Sequence, residues 1–281
     1  MPSSGTLYVV ATPIGNLADI SRRAMEVLSA VDIIAAEDTR TSGNLLRQLG
    51  VTHRAKWVSH HKFNERARIE ALLEALRQGQ SVALLSDAGT PCISDPGYLL
   101  VRAAADEGLA VVGVPGPCAA VTALSVSGFP AEGFVFVGFL PRRPAEILPL
   151  LAPGQTLVFY ESPKRIAATT ALLAQHFPEA ALCLCNDLSK KFEQIYRGAP
   201  AAVLAALQAN PHAEKGEYTC VAVLPPKKSD AMDEAPLSLE ALLVDAMVQT
   251  GGSLKEAIQA LSAQHGKNAL YAASLRLKEL F

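Results

Sequence analysis

The first 117 residues alternate short apolar runs with segments of helical periodicity. The apolar runs lie at 6–11, 32–37, 81–86 and 110–115, and the helix-like segments lie at 19–31, 66–79 and 97–107. Apolar runs of this length predict buried strands, and their alternation with amphipathic helices predicts a parallel sheet with crossover helices. Sheets of this kind bind ligands beyond the carboxyl ends of their strands.

The pattern starts again after Pro117. Further strands are predicted at 134–140, 156–162, 180–187 and 218–225, with helices near 164–176 and 200–209. The fold class is therefore α/β. We predict an N-terminal α/β domain at 1–117 and a second α/β domain with its own sheet at 118–226.

The remainder of the chain has a different composition. Residues 227–236 are polar and contain proline, which predicts a linker, and 237–281 predict a module of three short helices. The predicted N-caps are Ser238 and Ser253, and the predicted helix stops are Gly251 and Gly266. This pattern is similar to a helix-turn-helix module, but its charges balance, so a packing or oligomerisation tail is an equal alternative.

Composition excludes several classes of protein. The chain has 281 residues, of which 50% are hydrophobic, and this is enough for two domains with buried cores. Its net charge of −2 gives no global basic field, so any contact with nucleic acid must come from local clusters. The sequence has neither a signal-peptide pattern nor about eighteen consecutive apolar residues, which predicts a cytoplasmic protein without a membrane span.

The cysteines fit a reducing compartment. There are five, an odd number, and none forms a C-x-x-C motif. Cys183 and Cys185 are two positions apart on a predicted strand, so both thiols should face the same side of the sheet. A metal pair is conceivable there, but we interpret them as buried core thiols, and no metal site is predicted.

Loops rich in glycine, proline and acid follow three predicted strands: ATPIGN, SDAGTP and PGPCAA. Gly15 follows the first strand as a phosphate-binding glycine would, yet neither nucleotide-binding glycine motif is present. Asp87 offers a carboxylate and Gly89 permits close backbone approach, with an Asx-turn as the alternative role of Asp87. Several such loops at one sheet edge favour a ligand with charged and apolar parts, and S-adenosylmethionine fits that description.

Several motifs together resemble a family of small-subunit ribosomal RNA methyltransferases within the tetrapyrrole methylase superfamily. They are YVVATPIGNLADISRRA, AAEDTR, LLSDAGTPCISDPG, VPGPCAAVTALSVSG, FVFVGFLPRR, LVFYESPKRI and LCNDLSKKFEQIYRG, in this order. The resemblance covers about residues 6–225. It implies two domains of tetrapyrrole methylase type with the cofactor cleft between them. It further implies a cytoplasmic homodimer that transfers methyl from S-adenosylmethionine to the ribose 2′-hydroxyl of a cytidine in the decoding centre of 16S rRNA.

The resemblance also implies which residues hold the cofactor. The methionine and ribose portions would lie on Asp87, Gly89 and Ile93, near Gly15. Ala119 and Ala120 would close on the cofactor. The adenine would be framed by second-domain residues, namely Tyr160, Asn186, Leu188 and Tyr218. For all of these, plain packing is the alternative role.

Methyl transfer requires an aligned nucleophile and a group that takes its proton. Glu37, Asp38 and Arg40 follow the second predicted strand and should face the same crevice. We predict that Glu37 or Asp38 orients or deprotonates the hydroxyl and that Arg40 holds a phosphate. An ion-pair cluster that caps the next helix is the alternative. Lys164, with Arg165, is the rival activator, because a cation can lower the pKa of a hydroxyl.

Contact with RNA requires local basic residues. The candidates are Lys62, Arg142, Arg143, Arg165, Lys190 and Lys191. Phe63 lies beside Lys62, and aromatic rings next to cations can stack bases while the cations contact phosphates. Scattered surface charge is the alternative.

Two other functions remain open. One is methylation of a small tetrapyrrole by the same fold. The superfamily usually begins with V-x-G-x-G-P-G, whereas this chain has Val10-Ala11-Thr12-Pro13-Ile14-Gly15, and this departure disfavours a tetrapyrrole substrate. The other is a non-catalytic RNA-binding factor for ribosome assembly, which the helical tail suggests. The predicted partner is 16S rRNA or the 30S subunit.

Overall fold

The structure is a computed structural model that describes residues 5–151, 154–225 and 238–278. The chain divides into two compact units, Met1–Pro225 and Pro226–Phe281. The predicted linker at 227–236 lies outside the described residues. Within the described ranges, no helix has both the length and the apolar character needed to cross a bilayer.

The first sheet contains five parallel strands in the order β3-β2-β4-β1-β5. The strands are β1 (Thr6–Val10), β2 (Ile33–Ala36), β3 (Lys56–Ser59), β4 (Val82–Leu85) and β5 (Ala110–Val114). The helices are α1 (Arg22–Ala30), α2 (Thr39–Gln48), α3 (Glu65–Arg77) and α4 (Tyr98–Asp106). The predicted parallel α/β sheet is confirmed.

Helices cover both faces of this sheet. Leu84 packs in one apolar cluster with Leu72 of α3 and Leu100 of α4, whereas Leu85 packs in another with Leu28 and Leu46 of α1 and α2. Consecutive residues of a strand point to opposite faces, so VALL must be apolar throughout. This is why the strands read as continuous apolar runs rather than as alternating ones.

The sequence did not predict β3 and α2. The KWVS strand is short and lies at the sheet edge, where its residues are only partly buried. Helix α2 reads TRTSGNLLRQ, which contains several poor helix formers, and it buries only Ser42 and Leu46. Its N-cap is Asp38, whose side chain accepts hydrogen bonds from the amides of Arg40 and Thr41.

The second sheet is mixed, in the order β6-β7-β10-β8-β9, with β6 and β7 parallel and the other pairs antiparallel. The strands are β6 (Phe134–Phe139), β7 (Thr156–Glu161), β8 (Ala181–Asn186), β9 (Gln194–Gly198) and β10 (Tyr218–Val223). The helices are α5 (Ala119–Ser127), α6 (Pro144–Ile147), α7 (Ile166–His176) and α8 (Pro200–Ala209). Strand β9 and helices α5 and α6 were not predicted from the sequence.

Cys183 and Cys185 lie on the same face of β8, as the sequence predicted. Both are buried free thiols with their Sγ atoms 3.8 Å apart, in the apolar cluster that faces Ala123 and Leu124 of α5. They are core thiols. Among the described residues, no group of three or more His, Cys, Asp and Glu side chains is arranged to hold a metal ion.

The C-terminal unit contains α9 (Leu239–Thr250), α10 (Leu254–Leu261) and α11 (Lys267–Lys278). Ser238 and Ser253 cap α9 and α10 as predicted, and Ser253 forms a capping box with Glu256. Gly251 ends α9 in the left-handed conformation, whereas α10 ends before the predicted stop at Gly266. Leu243, Ala257, Leu270 and Ala273 form the small core of the unit.

A buried carboxylate at the end of β7 joins three segments of the second domain. Glu161 is 1% exposed, and its Oε1 accepts a hydrogen bond from Arg165 Nε at 2.8 Å. Thr169 Oγ1 donates to Glu161 Oε2 at 2.6 Å. The same Arg165 guanidinium donates to the carbonyls of Leu140 and Pro141, both at 2.8 Å. The guanidinium that was expected at RNA phosphates is thus used within the protein.

Loss of this carboxylate should destabilise the domain. Glu161→Gln leaves a partly buried guanidinium without its counter-charge, so we expect the free energy of unfolding to fall by about 2–4 kcal/mol. Thermal unfolding should show Tm lower by roughly 5–10 °C. The control is Glu26→Gln, which breaks an exposed pair with Arg22 and should leave Tm unchanged. Equal effects of the two substitutions would contradict this role of Glu161.

Candidate functional site

Three loops that follow parallel strands are tied together beyond the first sheet. The amide of Thr12 donates to the carbonyl of Gly89 at 2.8 Å, and the amide of Gly89 donates to the carbonyl of Thr12 at 3.1 Å. Thr90 Oγ1 donates to the carbonyl of Pro117 at 3.0 Å. The loops after β1, β4 and β5 therefore form one surface, as the sequence predicted.

This surface lies at the point where the strand order reverses. Strand β1 leads to β2 through α1 on one face of the sheet, and its neighbour β4 leads to β5 through α4 on the other face. A crevice opens beyond neighbouring strands whose connections leave in opposite directions. The topology therefore places the ligand site at the loops after β1 and β4.

A cavity of about 500 Å³ separates these loops from the second sheet. Its first wall consists of residues from the strand-end loops: Ile14, Glu37, Asp87, Ala88, Gly89, Thr90, Ile93, Ser94, Asp95, Cys118 and Ala119. Its second wall consists of Phe139, Tyr160, Glu161, Ser162, Pro163, Leu188, Glu217, Tyr218 and Thr219. This volume suits a small-molecule cofactor.

Two loops of the cavity contain non-glycine residues in the left-handed region. Cys92 and Ser94 of the loop after β4 have φ of 71° and 68°, and Asp187 and Ser189 of the loop after β8 have φ of 52° and 67°. Each such residue costs on the order of 1 kcal/mol or more and persists only where the surroundings impose it. Strained backbone concentrates at ligand sites, so both loops point to a shaped binding surface.

Three carboxyl groups crowd the first wall. Burial and the charge of Asp87 raise the pKa of Glu37, and burial also raises the pKa of Asp87. Burial and the charges of Glu37 and Asp87 raise the pKa of Asp95 to about 6. These acids repel one another, so the wall favours a ligand that brings positive charge.

Asp87 does not cap its own loop. Its Oδ1 accepts a hydrogen bond from the amide of Asp38, which follows β2, at 3.1 Å. The Asx-turn alternative is therefore not what the structure shows. Asp87 links the loops after β2 and β4 and still lines the cavity.

The second wall carries aromatic and apolar side chains. The ring of Tyr160 packs against Phe136 and Phe139, with centroids 5.2 Å and 5.4 Å away. The hydroxyl of Tyr218 donates to the carbonyl of Ala213 at 2.9 Å. Such faces can hold a flat apolar ring, with polar groups at its edge to fix its orientation.

Seven of the ten predicted cofactor residues line the cavity: Asp87, Gly89, Ile93, Ala119, Tyr160, Leu188 and Tyr218. The structure does not bring the other three to its wall. Ala120 is on the buried face of α5, in the apolar cluster with Val158 and Val221. Asn186 lies behind Tyr218 and donates from Nδ2 to the tyrosine hydroxyl at 3.2 Å.

Gly15 has a packing role instead. A Cβ at Gly15 would lie only 2.3 Å from Cγ of Lys190, so glycine is required for this close approach. The Lys190 ammonium pairs with Asp187 and Glu217, both at 2.7 Å. The hydroxyl of Ser189 bonds to Asp19 in the loop after β1. The loop after β8 thereby holds the two domains together at the edge of the cavity.

Of the four predicted catalytic residues, only Glu37 lines the cavity. Asp38 is the N-cap of α2, and the exposed Arg40 lies 3.5 Å from it, which is the alternative arrangement that the sequence left open. Lys164 is exposed and lies outside the cavity wall. The four remaining basic candidates are Lys62, Arg142, Arg143 and Lys191, all of them exposed.

The sequence missed several residues of the wall, among them Asp95, Phe139, Glu161 and Glu217. Asp95 carried a usable signal, because Ser94-Asp95 repeats Ser86-Asp87 within one loop. Phe139 and Glu161 end neighbouring strands, and their side chains reach the cavity only through the pairing of β6 with β7. Glu217 precedes a strand and had no distinguishing pattern.

The raised pKa of Asp95 predicts that this carboxyl lowers the stability of the folded protein at neutral pH but not at acid pH. Its carboxyl ionises near pH 4 in the unfolded chain and at about 6 in the folded protein, so stability falls as pH rises through this window. Asp95→Asn should therefore raise the free energy of unfolding by about 1–3 kcal/mol near pH 7 and by nothing below about pH 4. Thermal unfolding from pH 4 to pH 7 measures this difference, with Asp106→Asn, an exposed residue at the end of α4, as control. A pH-independent gain would contradict the prediction.

Comparisons with known proteins test the fold and the family resemblance. Residues 6–204 match the family model described as Tetrapyrrole (Corrin/Porphyrin) Methylases. The ribosomal RNA small subunit methyltransferase I of Escherichia coli O157:H7 is 42% identical over 96% of this chain and 94% of its own length. The protein of the same name from Streptococcus pyogenes serotype M1 is 38% identical over 95% and 92%.

Solved structures share the fold at lower identity. The uroporphyrin-III C-methyltransferase of Thermus thermophilus has a TM-score of 0.53 and 24% identity, covering 77% of this chain and 94% of that one. Cobalt precorrin-4 methyltransferase has a TM-score of 0.56 and 14% identity, covering 78% and 94%. The resemblance recognised from the motifs is thus confirmed. The chain belongs to the tetrapyrrole methylase family and, within it, groups with the methyltransferases named ribosomal RNA small subunit methyltransferase I.

Proposed function

We propose that the chain transfers a methyl group from S-adenosylmethionine to the ribose 2′-hydroxyl of a cytidine in the decoding centre of 16S rRNA. The observation that carries this proposal is the similarity, at about 40% identity and over nearly the whole chain, to ribosomal RNA small subunit methyltransferases. The matched region covers 96% of this chain and therefore contains the residues of both walls of the cavity.

The cavity suits this cofactor in charge and shape. S-adenosylmethionine carries a sulfonium and an amino group, which the acids Asp87 and Asp95 would attract. Its adenine requires a flat apolar slot, which Tyr160 and Leu188 offer on the opposite wall. A Thermus thermophilus uroporphyrin-III C-methyltransferase, which shares the fold, was solved in complex with S-adenyl homocysteine, and this supports the same class of cofactor.

When bound, S-adenosylmethionine would supply a methyl group that is already activated on sulfur. The ribose hydroxyl that receives this methyl must lose its proton to a group of the protein. Glu37 is the predicted base that lies at the cavity, and its raised pKa makes it a better proton acceptor than an ordinary carboxylate. Asp38 is engaged as a helix cap, so we assign it no proton transfer.

Several basic residues lie close in the chain to residues that line the cavity. Arg142 and Arg143 follow the cavity residue Phe139, and Lys191 follows Leu188. Burial raises the pKa of Glu37 while the charge of Lys62 acts in the opposite direction, so Lys62 also lies near the cavity. These cations can neutralise phosphates around the mouth of the cavity although the whole chain is slightly acidic.

We further propose that the protein acts in the cytoplasm as a homodimer. Strand β6 is an edge strand that exposes Phe134 and Val135, and an apolar sheet edge is commonly covered by a second chain. The five cysteines are all free, as expected in a reducing compartment.

Methyl transfer to ribosomal RNA tests the proposal. Tritium from labelled S-adenosylmethionine should enter 16S rRNA in 30S subunits or free rRNA, and the labelled nucleotide should resist alkaline cleavage because its 2′-oxygen is blocked. Glu37→Gln should slow transfer by roughly 100-fold or more while cofactor affinity remains, because a general base contributes about this factor. The exposed Glu70→Gln is the control.

Other outcomes would favour the rivals. Label that enters a tetrapyrrole but not RNA would favour a small-molecule methyltransferase. RNA binding without any transfer would favour a non-catalytic assembly factor. A Glu37→Gln variant with unchanged transfer would remove Glu37 from its assigned role.

A second prediction concerns the backbone of the cavity. Gly89 has φ of 78°, and an added Cβ would lie 3.4 Å from Ile14, within the cavity wall. Gly108 has a similar φ of 69°, but an added Cβ there meets nothing within 4 Å. Both alanine substitutions impose similar backbone strain, so both should lower Tm to a similar extent. Calorimetry should show weaker binding of S-adenosylmethionine for Gly89→Ala alone. If the two variants bind the cofactor with equal affinity, Gly89 does not belong to the cofactor site.

A further inference from the structure

Two exposed aromatic side chains repeat the same arrangement on the two domains. Phe63 and Phe192 are the most exposed phenylalanines of the described residues, at 85% and 75%. In each case the preceding lysine covers the ring. Nζ of Lys62 lies 4.9 Å from the centroid of Phe63, and Nζ of Lys191 lies 5.4 Å from that of Phe192. We call these two lysine–phenylalanine pairs the platforms.

The first platform stands on an ordered turn after β3. Asn64 accepts a hydrogen bond from the amide of His61 at 2.9 Å and donates from Nδ2 to the carbonyl of Ser59 at 3.1 Å. The imidazole of His61 contacts the Phe63 ring edge-on, with centroids 6.0 Å apart. The ring is therefore held out into solvent by a structured turn rather than by a loose loop. This turn follows a strand of the first sheet at the edge where Glu37 lines the cavity.

The second platform stands on the loop after β8. Glu193 Oε2 accepts a hydrogen bond from the amide of Ser189 at 2.6 Å, and the amide of Glu193 donates to the carbonyl of Lys190 at 3.1 Å. Leu188 of the same loop lines the cavity. The ring of Phe192 thus lies on a braced loop that forms part of the second wall.

We propose that Phe63 and Phe192 each stack an unpaired base of the RNA substrate, one on either side of the cavity, with Lys62 and Lys191 at the neighbouring phosphates. The inference rests on the proposed function and specifies its substrate as a single-stranded segment. Bases within a duplex cannot reach such rings, whereas unpaired bases stack on aromatic side chains and their phosphates attract adjacent cations.

Charge favours RNA over a protein partner at these positions. The chain as a whole carries −2, yet Phe63 and Phe192, the two most exposed phenylalanines, each have a lysine against the ring. Arg142 and Arg143, which follow the cavity residue Phe139, are exposed as well. Aromatic rings beside cations recur in sites for single-stranded nucleic acid, where stacking contributes without dependence on sequence.

The test is direct binding of RNA. A fluorescein-labelled, unstructured RNA of about twelve nucleotides, alone and annealed to its complement, is titrated with the full chain and followed by anisotropy. Phe63→Ala and Phe192→Ala should each weaken binding of the single strand by roughly 10-fold or more, and Phe63→Trp and Phe192→Trp should retain it. The matched control is Tyr98→Ala, an exposed aromatic at the start of α4 that does not line the cavity, and it should leave the affinity unchanged.

The outcomes separate this inference from the proposed function. If the double variant Phe63→Ala/Phe192→Ala keeps the Tm, the cofactor affinity and the RNA affinity of the parent, the platforms are disproved and the methyltransferase proposal stands. If that variant instead loses self-association in sedimentation at unchanged RNA affinity, the rings belong to an interface between copies, which also disproves the platforms. If the chain binds the duplex as tightly as the single strand, the platforms are likewise disproved. A parent chain that binds and methylates no RNA would overturn both proposals.

Discussion

The reciprocal backbone hydrogen bonds between Thr12 and Gly89 are the constraint on which the site depends. They join the loops after β1 and β4, the neighbouring strands at which the connections of the sheet diverge. Thr12 is completely buried, and Gly89 supplies the left-handed backbone that brings these two loops together. Once this bridge is formed, Thr90 can reach the carbonyl of Pro117 and add the third loop. The first wall of the cavity is thus held by main-chain contacts that are insensitive to the identity of most side chains.

The two walls of the cavity differ in whether their carboxyl groups have compensating partners. On the first wall, Asp95 lies near Glu37 and Asp87, and burial with their charges raises its pKa to about 6. On the second wall, Glu161 is fully compensated by Arg165, Thr169 and the amide of Ser162. Carboxyl groups that crowd together without compensating partners lower the stability of the fold, and a cationic ligand would restore it. A carboxylate with a full set of partners instead makes the segments around it more rigid. The crowded carboxyl groups and the compensated carboxylate therefore lie on opposite walls of the cavity.

Sequence reasoning could identify residues that follow a buried strand, but not the partners of the charged side chains. Asp87 and Gly89 follow an apolar strand, and the rule that parallel sheets bind ligands at the carboxyl ends of their strands is enough to predict them as ligand-site candidates. Ile93 was expected there only from the family resemblance. Arg165 and Lys190 could not be assigned in this way. A cation in a polar motif has the same sequence signature whether it pairs with Glu161, with Asp187 or with a phosphate. Gly15 likewise reads as a ligand-binding glycine until Lys190 is seen to pack on it.

The sequence by itself determined the parallel first sheet, the strand-end loops that form one wall, the core thiols of β8 and the family to which the chain belongs. These follow from local periodicity, turn chemistry and motifs, which are readable within a few residues. Only the tertiary structure decided that Glu37 rather than Asp38 faces the cavity, and that Asp95, Phe139 and Glu217 join its wall. It also decided that Asn186 lies behind Tyr218. The physical reason is that a side chain's role at a site depends on partners distant in sequence. Strand pairing and loop closure bring those partners together, and neither is encoded at the residue itself.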